Sequence, residues 1–176
     1  MTQYRRIYTP GASWFFTVNL ARRKNNRLLV ERVDLLREAF LYVKKRKSFD
    51  INAVVIMPDH LHCIWTLPEG DADYSGRWRL LKGFFSRAIP KDEFVSQSRM
   101  KRRERGLWQR RFWAHMLTDQ DDFNVHFDYI HWNPVKHGWV ESVKDWPYSS
   151  FHRYVVNGIY SVDWGHSDDF SVEVNE

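Results

Sequence analysis

Two apolar runs separated by a Pro-Asp dipeptide constrain the fold more than any other part of this sequence. The first run, INAVVIM, covers residues 51–57 and is rich in β-branched side chains, and the second, HLHCIWTL, covers residues 60–67. Pro58 and Asp59 favour a turn between the two runs. The whole stretch therefore predicts a β-hairpin made of two buried strands.

Further strands and helices are predicted on both sides of this hairpin. Residues 14–20, WFFTVNL, are aromatic and β-branched, which favours a strand. Apolar residues at helical spacing predict a helix over residues 33–47. Helices are also predicted over residues 78–88 and over residues 121–132, the latter with acidic residues in its first turn and limited by Pro134. Residues 107–117 are interpreted as a strand, and the basic residues 90–106 as a mobile loop. The order β-α-β-β-α-β-α is typical of the ferredoxin-like, split βαβ arrangement.

We therefore expect an α+β domain with an antiparallel sheet, helices on one face, and the other face open for a ligand. Residues 1–155 are predicted to form this domain. Residues 156–176 contain no Lys or Arg and form an acidic C-terminal tail. Two states of the tail remain open: it is disordered, or it lies over the basic surface and restrains access of a ligand.

Charge and cysteine content narrow the class of protein. Lys and Arg number 27 against 22 Asp and Glu, and the basic residues concentrate in 1–50 and 77–111, which permits a polyanionic partner. The single cysteine, Cys63, excludes an intramolecular disulfide and favours a reducing, cytoplasmic setting. No stretch approaches the roughly 18 apolar residues that span a membrane, so no membrane partner is expected.

The His-Leu-His segment is the first candidate for chemistry. Side chains alternate along a strand, so His60 and His62 point to one face while Leu61 and Cys63 point to the other. Two neutral imidazoles placed in this way can bind one divalent ion. The alternative is a surface or buried structural pair, since two ligands alone hold a catalytic metal poorly.

The segment DYIHWNPVKHG, residues 128–138, offers a third ligand and a nucleophile. Tyr129 and Asn133 are four residues apart and therefore share one face of a helix. An Asn carbonyl oxygen is a hard ligand that suits Mg²⁺ or Mn²⁺ beside imidazole nitrogen. The alternative is a partly buried tyrosine beside an asparagine that ends the helix.

Together, MPDHLHCIW and YIHWNPVKHG resemble the HUH single-tyrosine DNA endonucleases, in which a His-hydrophobe-His strand precedes the tyrosine helix. Replication initiators of that superfamily carry Lys four residues after the tyrosine, whereas Asn133 here favours the transposase branch. More specifically, most of residues 4–154 is similar to the REP-associated tyrosine transposases, including YRR, WFFTVNL, SGRW, WQRRFWAH and DWPYSSFHR.

This resemblance implies a metal-dependent, single-stranded DNA endonuclease and strand transferase that binds REP-type hairpins and cleaves beside them. Tyr129 would be the nucleophile and would form a 5′-phosphotyrosine bond. His60, His62 and Asn133 would hold Mg²⁺ or Mn²⁺. We expect a monomer that uses its own tyrosine, with a dimer as the alternative.

Candidate DNA-binding residues lie in the basic stretches. Arg5 and Arg6 resemble the N-terminal arm of the family. The others are Arg102, Arg103, Arg110 and Arg111, together with Trp108, which like Trp113 can stack on unpaired bases. The alternatives are a solvated loop for each arginine and core packing for at least one tryptophan. Three histidines that flank the tyrosine, His126, His131 and His137, can assist with its proton, contact a phosphate, or be structural.

Two other functions fit part of this pattern. A non-catalytic hairpin-binding module would keep the fold and the basic surface without the reaction. A metal hydrolase would use water in place of Tyr129. A structural zinc site of the usual Cys and His type is not expected, because the chain lacks such a ligand set.

Overall fold

The computed structural model describes residues 9–165, which contain one four-stranded sheet and six α-helices. The strands are β1 (Ser13–Asn19), β2 (Asp50–Ile56), β3 (His60–Thr66) and β4 (Trp113–Met116). The helices are α1 (Leu28–Glu31), α2 (Val33–Arg46), α3 (Tyr74–Ala88), α4 (Gln97–Lys101), α5 (Gln120–Lys136) and α6 (Phe151–Val156). Within residues 9–165, no helix has both the length and the apolar content needed to cross a membrane.

The sheet is antiparallel throughout, with the strand order β2-β3-β1-β4. Strands β2 and β3 form the predicted hairpin around Pro58 and Asp59. Helix α2 connects β1 to β2, and helix α3 lies between β3 and β4, so each half of the domain is one crossover of the split βαβ arrangement. The predicted α+β, ferredoxin-like fold class is confirmed.

Helices α2 and α3 pack on one face of the sheet through large aromatic side chains. Trp65 of β3 stacks on Trp78 of α3, with ring centroids 4.2 Å apart and planes 16° from parallel. The rings of Phe16 and Phe40 approach Trp78 edge-on, at 5.5 and 6.4 Å between centroids. Burying such large rings removes more apolar surface from water than burying any other type of side chain. This layer is the main hydrophobic core, and it buries the tryptophans Trp65 and Trp78.

Helix α5 covers the opposite face, where the sequence predicted an open surface. Its Tyr129 ring lies 5.5 Å from His62 and 6.1 Å from Phe15, measured between centroids. Its His126 ring lies 4.7 Å from Phe15. The tyrosine helix therefore covers the face of the sheet that carries the imidazoles, and the predicted open surface is wrong for this face.

Helix α5 also passes through Pro134, which was predicted to limit it. Proline lacks the N–H group that would bond to the carbonyl of Ile130, which is why it normally ends or kinks a helix. Here it lies in the last turn, where His137 N still donates to Asn133 O at 3.0 Å. The helix loses one hydrogen bond close to its end and continues to Lys136.

The basic segment before β4 is more structured than predicted. It contains the short helix α4, and its Arg105 guanidinium binds Glu93 and donates to the backbone oxygens of Ser86 and Pro90. Ser86 O also accepts from Ile89 N at 3.4 Å, so Arg105 adds a second donor at the end of α3 and a donor to Pro90 just beyond it. The predicted strand 107–117 pairs continuously only as β4, and Trp108 adds an isolated bridge to Leu20.

Residues beyond the predicted boundary at 155 continue the packing of the domain. Tyr160 is buried, and its ring centroid lies 5.3 Å from Phe151 and 4.3 Å from Trp164. Lys144 binds Asp163 at 2.6 Å. The last eleven residues of the predicted acidic tail, 166–176, lie outside the described residues.

A buried cation fixes the start of α3. The Arg77 side chain is 1% exposed, and its guanidinium binds the Asp71 carboxylate at 2.7 and 3.1 Å and donates to Ser48 O at 2.6 Å. The hydrogen bond from Arg77 lowers the pKa of Asp71 from 3.8 to about 2. The pair joins α3 to the segments before β2 and after β3.

We predict that Asp71→Asn lowers the free energy of unfolding by about 2 kcal/mol, because it leaves a buried cation without its anion. The contribution is present above pH 3.8 and disappears as the pH falls towards 2, because the folded-state pKa is the lower one. Urea denaturation at several pH values measures both effects. The exposed pair of Asp34 with Arg37 provides the control: Asp34→Asn should cost less than about 0.5 kcal/mol. Equal losses in the two variants would contradict the role given to Arg77.

Candidate active site between strand β3 and helix α5

Two imidazoles share the face of β3 that α5 covers. The rings of His60 and His62 lie 4.9 Å apart between centroids, and the two residues are 3% and 0% exposed. Register with β1 pairs His62 with Thr17 and His60 with Asn19, so both rings are set by the central strands of the sheet. The neighbouring residue Leu61 points into the core on the opposite face.

The orientation of His60 is fixed by a carboxylate. Its Nδ1 donates to Asp59 Oδ1 at 2.6 Å, and Arg23 Nε donates to Asp59 Oδ2 at 2.6 Å. Burial alone would raise the pKa of Asp59, but the hydrogen bonds from His60 and Arg23 outweigh it and lower the pKa to about 2. A carboxylate that holds one ring nitrogen directs the other nitrogen for metal binding.

The orientation of His62 is fixed by a hydroxyl group. Its Nδ1 lies 2.9 Å from Thr17 Oγ1, so a ligand role falls to Nε2. Burial, followed by the charge of His60, lowers the pKa of His62 well below 6.5. The ring is therefore neutral at neutral pH, which is the form that binds a metal ion.

The tyrosine helix supplies the remaining groups. Tyr129 contacts His62, and eight residues later His137 lies 5.4 Å from His60 between ring centroids. Asn133 is halfway between them on the same side of α5 and is 0% exposed. Neither its Oδ1 nor its Nδ2 has a hydrogen-bond partner among residues 9–165. A buried amide without such a partner is costly, so these residues fit a metal ion that Asn133, His60 and His62 would hold.

Lys136 contacts the hydroxyl group of the candidate nucleophile. Its Nζ donates to Tyr129 Oη at 3.0 Å and lies 4.4 Å from the centroid of the tyrosine ring. Sequence analysis did not single out this residue. Its spacing of seven residues from Tyr129, two turns of one helix, was a signal that could have found it. An ammonium group at this distance favours the negative charge that develops on Oη when its proton leaves.

A cavity of about 520 Å³ opens beside the histidine pair. Arg27 lies 5.5 Å from the Trp139 ring, which is 44% exposed. Cationic side chains and an exposed indole are suited to a phosphate and an unpaired base. The lining residues that matter here are Arg23, Arg27, Asp59, His60, His137 and Trp139.

The predicted DNA-binding residues have different environments. Arg102, Arg103 and Arg111 are exposed, and Arg110 is exposed but binds Glu104 at 2.7 Å. Trp108 is 5% exposed and packs against Phe85, so its ring belongs to the core, whereas Trp113 is 43% exposed. Arg5 and Arg6 lie outside the described residues.

The three histidines near Tyr129 separate into different roles. His131 is 0% exposed and makes hydrogen-bond contacts with Ser150 Oγ at 2.8 Å and Tyr160 Oη at 3.2 Å, which is a structural arrangement. His137 joins the cavity next to His60. His126 lies against Phe15 and binds Asp122.

Comparison with known proteins matches the part of the chain that contains the candidate site. The profile of the family described as "Transposase IS200 like" matches residues 15–133, the span from β1 to Asn133. A REP-associated tyrosine transposase from Escherichia coli (strain K12) is 48% identical, over 97% of this chain and 96% of the relative.

A solved structure of a REP-associated tyrosine transposase bound to a REP hairpin is also similar. It is 46% identical, superposes with a TM-score of 0.81, and the match covers 100% of this chain and 99% of that one. The resemblance inferred from MPDHLHCIW and YIHWNPVKHG is thereby confirmed. This chain belongs to the IS200-like transposases and, within them, to the group of REP-associated tyrosine transposases.

Proposed function

We propose that this protein is a metal-dependent, single-stranded DNA endonuclease and strand transferase that binds a REP-type hairpin and cleaves beside it. The observation that carries the proposal is the packing of Tyr129 against His62, with the buried amide of Asn133 one helical turn further along α5. Nucleophile and candidate metal ligands thus occupy one layer of the molecule.

His60, His62 and Asn133 would hold Mg²⁺ or Mn²⁺. When bound, such an ion polarises the scissile phosphate and neutralises charge that develops on it. The chain itself orients these ligands: Asp59 holds the His60 ring, and Thr17 holds the His62 ring. The ligand set combines two nitrogens and one oxygen, which suits Mn²⁺ and tolerates Mg²⁺.

Tyr129 acts as the nucleophile. Its Oη attacks the phosphorus and loses its proton, the bond to the 3′ oxygen of the upstream strand breaks, and that oxygen takes up a proton. The product is a 5′-phosphotyrosine bond and a free 3′-hydroxyl group. Because the new bond keeps the energy of the phosphodiester, a 3′-hydroxyl group can attack it in reverse and join strands without ATP.

Lys136 would assist this step. The phenol has an ordinary pKa near 10, so little phenolate exists at neutral pH without a favourable charge nearby. The Lys136 ammonium donates to Oη and would stabilise the charge that forms there. Tyr129 is only 1% exposed, so a scissile phosphate can reach Oη only after side chains around it have moved.

DNA would approach along the basic surfaces. The cavity beside His60 is large enough for a phosphate with an unpaired nucleotide, which Arg23 or Arg27 and the Trp139 ring would contact. Arg102, Arg103, Arg110 and Arg111 are proposed to contact hairpin phosphates, as are Arg5 and Arg6. The similar solved structure binds a REP hairpin, which supports a hairpin as the partner. We propose that the protein works in the bacterial cytoplasm as a monomer.

We predict that the wild-type protein, incubated with Mn²⁺ or Mg²⁺ and a labelled single-stranded hairpin oligonucleotide, forms a covalent adduct that survives a denaturing gel. Tyr129→Phe should form no adduct and cleave nothing, because it removes the nucleophilic oxygen. His62→Ala and removal of the metal with a chelator should abolish cleavage and leave hairpin affinity within about threefold, since binding rests on phosphate contacts.

Two outcomes of this experiment would contradict the proposal. Cleavage that persists in Tyr129→Phe would indicate a hydrolase that uses water. Hairpin binding by wild-type protein, without cleavage in either metal, would indicate a non-catalytic binding module.

We further predict that Lys136→Met lowers the cleavage rate by about 100-fold, the size of effect expected for one lost group at a developing negative charge. Its rate should rise with pH over a more alkaline range than that of wild type, and Lys136→Arg should restore part of the rate. Lys144→Met, which removes another exposed lysine, serves as the control and should leave the rate unchanged. A pH–rate profile identical to wild type in Lys136→Met would exclude this role for Lys136.

A further inference from the structure

A second group of metal-ligand side chains lies outside the candidate active site. It joins β4 to the start of α5 and consists of His115, Asp122 and His126, whose ligand atoms all lie within 4.8 Å of one another. His115 Nε2 is 2.9 Å from Asp122 Oδ2, and His126 Nδ1 is 2.9 Å from Asp122 Oδ1. Two nitrogens and a carboxylate from two elements thus converge on one point.

Phe15 separates this group from the histidine pair of β3. The Phe15 ring lies 4.7 Å from His126 on one side and 5.6 Å from His62 on the other, measured between centroids. His115 is the register partner of Phe15 across the β1–β4 pairing. The two groups are therefore neighbours on one face of the sheet, and an aromatic side chain stands between them.

Helix capping does not account for this cluster. Asp119 is already the N-cap of α5, and its carboxylate accepts from Asp122 N at 2.9 Å. Asp122 in turn accepts from Thr118 N at 3.0 Å, so the first turn has its acceptors without either histidine. Capping therefore does not explain why the rings of His115 and His126 stack, with centroids 4.7 Å apart, while both contact the Asp122 carboxylate.

The geometry and the donor set suit a transition metal. Zinc binds imidazole nitrogen and carboxylate oxygen at about 2.0–2.2 Å, which puts tetrahedral ligand atoms about 3.4 Å apart. The 2.9 Å contacts would need to open by only about half an ångström. Two imidazoles with a carboxylate favour Zn²⁺ and similar borderline ions over Mg²⁺. His115 has a side chain that is 36% exposed, so an ion can enter and keep a water ligand.

The protonation of the cluster is compatible with such an ion. Burial lowers the pKa of His126, which keeps its ring neutral at neutral pH. His126 Nδ1 also lies 2.9 Å from the backbone oxygen of Asp122, and binding would move its proton to Nε2. The bound ion would then neutralise the charge of the Asp122 carboxylate, a role that the N–H groups of His115 and His126 have without it.

We propose that His115, Asp122 and His126 form a second metal site that binds a divalent transition-metal ion of the zinc type. The bound ion would link strand β4 to helix α5 three residues before Tyr129. Sequence analysis argued against a zinc site made with cysteines. This site uses no cysteine, and its ligands come together only because β4 pairs with β1 beside the start of α5.

The test uses the full chain, freed of metal with a chelator and then dialysed. Zinc binding is measured by calorimetry. Co²⁺ is then added as a probe, because its visible absorption distinguishes a tetrahedral site from one with more ligands. His115→Ala and Asp122→Asn are compared with wild type, and both positions are partly exposed, so folding is checked by circular dichroism and Tm. Asp122→Asn keeps an acceptor for Thr118 N. His152→Ala, at an exposed histidine outside the cluster, is the matched control.

We expect both cluster variants to bind one Zn²⁺ fewer than wild type and His152→Ala, or to bind it at least about 100-fold more weakly, since loss of a direct ligand exceeds second-sphere effects of 10- to 100-fold. Zinc should raise the Tm of wild type and His152→Ala by more than that of the two variants. Ions held by His60 and His62 would remain in all four proteins, so the result does not depend on the proposed active site. Equal stoichiometry and affinity in all four proteins, or no zinc binding by wild type, would overturn the proposal.

Discussion

The packing of helix α5 on the imidazole face of the sheet is the constraint on which the rest of this structure depends. Alternation along β3 sends Leu61 and Cys63 into the aromatic core and leaves His60 and His62 on the other side. A face that carries buried imidazoles needs a cover with matching polar groups. Helix α5 provides that cover, and Tyr129 thereby reaches His62.

This arrangement places buried polar groups between the sheet and α5, and two of them have a defined supporting contact. Asp59 holds His60, and Thr17 holds His62. Asn133 has no hydrogen-bond partner within residues 9–165, which is costly in a protein of ordinary stability. A bound ion would offset that cost. The buried amide of Asn133 thus supports the proposal of a preorganised metal site.

Local patterns in the sequence predicted the fold and part of the candidate site. The hairpin, the common face of the two histidines and the common face of Tyr129 and Asn133 depend only on strand and helix periods, which neighbouring residues set. The sequence-based family assignment was confirmed on the same motifs. Pro134 was misjudged because its effect depends on how many turns follow it, and α5 ends soon after.

Other features depend on contacts between distant segments and could not be predicted locally. Trp108 joins the core because Phe85 of α3 lies beside it. Arg105 orders its own loop because its guanidinium reaches the backbone oxygens of Ser86 and Pro90 at the end of α3. The cluster of His115 and Asp122 exists only once β4 has paired with β1. Hydrophobic periodicity and composition carry no signal for such contacts, because these contacts form only when the sheet has folded.

The most direct test of the account is to map the covalent bond between protein and DNA by mass spectrometry. Wild-type protein that has reacted with hairpin DNA and Mn²⁺ would be digested with nuclease and protease, and the modified peptide would be sequenced. The account predicts a nucleotide phosphate attached to Tyr129 and to no other side chain. A nucleotide on another residue, or cleaved DNA with a free 5′-phosphate and no modified peptide, would contradict the central claim that the tyrosine of helix α5 is the nucleophile.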